Sequence, residues 1–81
     1  DSQILLYPNP APGGKFTLQA AFPKTTSGQV SIYTMEGRLM QSQNFYNLSQ
    51  YEYHGNIGVS GVYIIHIKTL LGENSLKLIV H

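Results

Sequence analysis

Three histidines, His54, His66 and His81, are the side chains in this sequence best suited to bind a metal or move a proton near neutral pH. Their spacing follows no zinc-ligand pattern, and His66 lies among strand residues that alternate with a candidate core set. Cysteine is absent, so thiolate ligands, redox pairs and disulfides are excluded. Acid–base catalysis needs two titratable groups held together in a cleft. The acids are only Asp1, Glu36, Glu52 and Glu73, and three of them fall at the terminus or in hairpin turns. None of the serines sits in a G-x-S-x-G elbow, and the chain is too short to build one on an α/β sheet. These residues predict no enzyme, no metal site and no cofactor.

The tyrosines offer a different chemistry. Tyr46, Tyr51 and Tyr53, with His54 next to the last, could form a stacking platform for a sugar ring or a peptide. Aromatic pairs across neighbouring strands are equally ordinary packing in a chain that lacks tryptophan, and packing is the reading preferred here. Asn47-Leu48-Ser49 fits the N-glycosylation triplet, a pattern too short to carry an argument.

Composition narrows the partners. Only 11% of residues are charged, against about 25% in an ordinary soluble chain, and the net charge is +1. Lys15, Lys24, Arg38, Lys68 and Lys77 are scattered, leaving no basic stripe for a phosphate backbone, so no nucleic acid is expected. No run approaches the roughly 18 apolar residues of a membrane-spanning helix, and membrane insertion is not expected. The 81 residues allow a single small domain with a modest core, read as a monomeric fragment of a longer protein. The abrupt opening on Asp1-Ser2-Gln3 places any export signal upstream.

The elements that must position these side chains are strands. Gly and Pro recur every eight to twelve residues or so, and no 3.6-residue apolar period is present. Candidate strands cover residues 3–7, 15–20, 29–35, 38–45, 51–54, 61–70 and 75–81, which predicts an all-β, immunoglobulin-like antiparallel β-sandwich of about seven strands. Pro8, Pro10 and Pro12 read as an extended, unpaired crossing. Residues 22–27 read as a loop. Gly37 suits the positive φ of a hairpin, and Gly61 a tight turn before a buried strand. In the last two strands Tyr63, Ile65 and Ile67 point inward with Leu76, Leu78 and Val80; Lys77 and Ile79 face outward.

Three landmarks fall in order along these strands. They are Leu6-Tyr7-Pro8-Asn9-Pro10 with Gly14-Lys15-Phe16, Val30-Ser31-Ile32-Tyr33 with Gly37-Arg38, and Ser60-Gly61-Val62-Tyr63-Ile64 with the closing strand Leu76-Lys77-Leu78-Ile79-Val80. Over essentially its whole length the chain resembles the C-terminal sorting domain, type A, of the type IX secretion system of Bacteroidetes. It departs in two places. Thr34-Met35-Glu36-Gly37 replaces an Asp-bearing turn, and His81 stands where a lysine or arginine is common.

That resemblance implies a sorting signal that directs a passenger protein across the outer membrane, followed by cleavage and by surface attachment or release. It implies partners in the translocon, the outer-membrane shuttle components and a sortase-like surface peptidase. Localisation would be the periplasm in transit, then the cell surface or the medium. Candidate recognition residues are Lys77, Ile79, Val80 and His81 with Tyr7, Pro8, Asn9 and Pro10. Gly37, Gly61, Val62, Tyr63, Leu76 and Leu78 are the candidate fold determinants. The alternatives are a fibronectin-like or carbohydrate-binding accessory module using the tyrosines, and a spacer domain of an adhesin.

Overall fold

The computed structural model describes residues 2–81 as a wholly antiparallel β-sheet of five strands. They are β1 (Gln3–Tyr7), β2 (Lys15–Thr34), β3 (Leu39–Asn56), β4 (Gly61–Thr69) and β5 (Gly72–Val80). A single 3-10 turn over Pro12–Gly14 is the only helical element among the described residues.

The expected count of about seven strands is corrected to five, because two pairs of expected segments are continuous. Residues 22–27, expected as a loop, stay extended inside β2. Phe22 carries the inward alternation of Phe16, Leu18 and Ala20 one step further, and Thr25 and Thr26 are β-branched. Pro23 is tolerated because the β2–β3 register jumps from Ala21 to Thr26, so it falls in a bulged stretch without ladder partners there. The partner strand bends in the same region, where Asn47 takes a positive φ of 54°. Each long strand therefore has two legs.

The legs of β2 have different neighbours. Residues 15–21 pair with β3, and all but the first two also pair with β1. Residues 28–33 pair with β3 on one side, residues 28–34 pair with β4 on the other, and β5 follows β4 as the outermost strand. One hydrophobic cluster draws on both legs: Phe16, Leu18 and Ala20 from the first, Val30 and Ile32 from the second. Tyr63, Ile65 and Ile67 of β4 and Leu78 and Val80 of β5 complete it, with Leu76 packed at its margin. The inward alternation expected for the last two strands is the one observed.

Two glycines are required where they stand. Gly37, at φ 91°, closes the turn between β2 and β3, where its N–H donates to the Thr34 carbonyl at 2.9 Å. Gly14, at φ 85°, receives the Ile57 N–H on its carbonyl at 2.9 Å, and any Cβ on it would lie 1.8 Å from the Ile57 oxygen. Gly61 opens β4 opposite Val80.

Candidate functional site

The segment between β1 and β2 was expected to cross the molecule unpaired. Instead, it lies along the outer edge of β5. Pro10 and Pro12 have no N–H to offer a ladder, but Ala11 between them does. The Ala11 N–H donates to the Ile79 carbonyl at 2.7 Å, and the His81 N–H donates to the Ala11 carbonyl at 3.2 Å, forming a parallel bridge opposite Val80. Ala11 is fully buried.

Two residues earlier, a side chain does the same work. The Asn9 carboxamide donates from Nδ2 to the Lys77 carbonyl at 2.8 Å, and its Oδ1 accepts the Ile79 N–H at 3.0 Å. A primary amide presents the donor and acceptor of a peptide group, so Asn9 extends the pairing where its proline neighbours cannot. The backbone groups it meets also dictate which end of the amide is oxygen. Neither aspartate nor glutamine fits equally: aspartate at neutral pH has no donor, and glutamine adds a methylene. The peptide bonds before Pro8 and Pro10 are both cis.

In the sequence, residues 7–10 and the set Lys77, Ile79, Val80 and His81 are separate candidate segments. The structure joins them. Lys77, Ile79 and His81 have their edge groups held by Asn9 and Ala11, while Val80 turns into the core at 3% exposure. Toward the start of β5, Glu73 and Ser75 have the same outward parity as Ile79, and among the described residues no strand or backbone hydrogen bond occupies that edge. On the outer face Ile79 sits directly opposite Val62, and Lys77 opposite Ile64. The result is a small apolar surface bordered by one cation, beside the segment that leads to β1.

Tyr7 does not anchor this arrangement, since its side chain is exposed at the end of β1. Asn9 and Ala11 do, and neither was legible as a bonding residue. An Asn between prolines reads as a turn, and Ala11 acts through its backbone.

The other candidate chemistry separates into packing. Tyr51 stacks on Phe45 with ring centroids 4.4 Å apart, and Phe16 lies against Tyr53 at 6.2 Å. Burial pushes both tyrosine phenols above their ordinary value, and for Tyr51 its neighbour Tyr53 adds to the rise. The Tyr51 hydroxyl is buried with no hydrogen-bond partner among the described residues. Tyr46 stands apart, 67% exposed, so the three tyrosines form no common platform.

One polar constellation was missed. His66 Nδ1 lies 2.9 Å from the Ser75 hydroxyl and His66 Nε2 2.9 Å from a Glu73 carboxylate oxygen. The cross-strand register of β4 and β5 creates it, placing Ser75 directly opposite His66 and Glu73 one outward position along. Spacing along a single chain carries no trace of that pairing. The group lies on the outward face of the sheet, and Glu73 also lines a cleft with Phe22, Ile67 and Thr69. It fastens the β4–β5 hairpin. No group of three potential metal ligands occurs among the described residues.

The family model described as the secretion system C-terminal sorting domain matches residues 5–81. No curated protein matches the chain.

Proposed function

The chain belongs to the secretion-system C-terminal sorting domain family, the sorting signal of type IX secretion, and on that premise we propose that its address is composite. The outward side chains of residues 77–81 and the Asn9-bearing crossing are read together. The observation that carries this reading is the pair of Asn9 amide bonds to Lys77 and Ile79, which makes one rigid element of two distant motifs. The apolar pair Val62 and Ile79 beside Lys77 supplies a surface that a receptor can desolvate. The domain is the recognised substrate and not an enzyme. Its passenger passes through the periplasm, is handed to outer-membrane shuttle components, and is cut from the domain by a sortase-like peptidase before attachment or release. The two legs of the long strands would form the two layers of an immunoglobulin-like sandwich around the shared core. The match to the sorting family gives no support to a carbohydrate-binding role.

The test is a secreted reporter fused ahead of this chain. Lys77→Glu and Ile79→Ser alter exposed groups and should leave stability within about 0.5 kcal/mol. The expected result is a folded domain whose reporter remains in the periplasm. Export of both variants at the parental level would contradict the reading.

A further inference from the structure

The first leg of β3 is an unpaired edge. Residues 39–45 run beside β2 on one side, and among the described residues no strand pairs with the other. Such a row of unpaired N–H and C=O groups is a template for another strand, and proteins commonly blunt it with charge, proline, a bulge or a covering segment. Here the one such feature among the described residues is a register shift at Met40, between Ile32↔Gln41 and Tyr33↔Leu39, and residues 41–45 carry none. From Leu39 to Tyr51 there is no Lys, Arg, Asp, Glu, Pro or Gly, and the register with β2 is unbroken from Gly28↔Phe45 to Ile32↔Gln41. Every residue from 39 to 44 is exposed, including Leu39 and Met40. The other outer edge at this end of the sheet, on β5, is covered from Lys77 onward.

We propose that this leg is a self-association edge, pairing antiparallel with the same leg of a second copy of the chain. The occupant is argued from charge and symmetry. An edge free of charge meets its own copy without like-charge repulsion, and antiparallel pairing of identical strands is the isologous contact of a two-fold dimer. With Ser42 on the axis, Gln41 faces Gln43 of the second copy, within the stretch whose register with β2 is unbroken. Residues of equal parity then meet, so outward side chains lie beside outward ones across the junction. The two sheets become continuous, in the order β5–β4–β2–β3 and back again. A single strand pair buries little area, so the dimer is weak and forms at high local concentration. Such concentrations arise where many copies gather on one surface. This goes beyond the address on β5, which lies at the opposite edge, and replaces the monomer expected from the sequence.

The experiment is sedimentation equilibrium of the chain from micromolar to millimolar concentration, run beside Ser42→Lys and Ile79→Ser. The parent and Ile79→Ser should move from the mass of one chain toward two. Ser42→Lys, which sets two like charges on the axis, should stay at one with an unchanged melting temperature. A nuclear Overhauser contact between Ser42 α-protons of differently labelled copies should accompany the dimer. A parent that remains monomeric at millimolar concentration overturns the proposal, and so does a dimer that survives Ser42→Lys. Loss of reporter export in Ser42→Lys with a strictly monomeric parent would assign the edge to a strand of the secretion machinery instead. Because Ile79→Ser tests the address and Ser42→Lys tests the edge, failure of either leaves the other standing.

Discussion

The two outer edges at the β4–β5 end of the sheet face the same physical problem and meet it differently. On β5, Ala11 and the Asn9 side chain occupy the groups of Lys77, Ile79 and His81. On β3, the equivalent groups of residues 41–45 have no strand partner among the described residues. The covered strand also holds the core, through Leu78 at 0% and Val80 at 3% exposure, whereas the bare leg contributes only Phe45. Covering an edge thus coincides with fixing the strand that carries the address, and the uncovered edge is one whose loosening would leave the core largely whole. A side chain can close an edge where prolines forbid a strand, provided it carries both a donor and an acceptor.

The contrast predicts its own failures, and the largest effect should come from the inward side of the covered strand. Leu78→Ala removes a fully buried side chain and should cost about 2–5 kcal/mol in urea unfolding, enough to threaten a small domain. Met40→Ala on the bare leg should change stability by no more than about 0.5 kcal/mol. Equal costs would erase the distinction between the strands.

Asn9→Ala should come next. It deletes two bonds to β5, each worth about 0.5–1.5 kcal/mol net, and should lower stability by about 1–3 kcal/mol. Asn9→Asp should rescue little, because the carboxylate would face the Lys77 carbonyl it cannot donate to. Full stability in both variants would mean that the edge is not held by this amide.

The smallest effect concerns the aromatic stack where β3 bends. Tyr51 and Tyr53 have phenols raised by burial, so the folded chain holds these protons more tightly than the unfolded one. Their contribution is complete below the ordinary tyrosine value of about 10 and is lost as pH rises from there through the folded values. The melting temperature should therefore fall on titration above pH 10 or so, and less steeply in Tyr51→Phe. At neutral pH Tyr51→Phe should be neutral or slightly stabilising, since it removes a buried hydroxyl without a partner. A clear loss of stability would show that the hydroxyl is satisfied.

Much of this was legible in residue alternation. Tyr63, Ile65, Ile67, Leu78 and Val80 turn inward where a two-residue period puts them, and Gly37 marks its hairpin. Fusion of the segments was hidden because Pro23 reads as a stop, and only the skipped register opposite it makes the stop harmless. His66, Glu73 and Ser75 were hidden because their meeting depends on register across a hairpin. Of the site, the sequence supplied both segments but not their union. Asn9 behaves as backbone here, a role that depends on what lies beside it and not on its type alone.

The union of those segments can be read directly from amide hydrogen exchange on the edge of β5. Ile79 and Ser75 present their N–H groups from the same edge with the same parity, and only Ile79 meets Asn9. In the parent chain Ile79 should exchange far more slowly than Ser75, and in Asn9→Ala the Ile79 rate should rise toward that of Ser75 while Leu78, bonded into the β4–β5 ladder, stays protected. Equal exchange of Ile79 and Ser75 in the parent, or an Ile79 rate indifferent to Asn9→Ala, would contradict a composite address built on that amide.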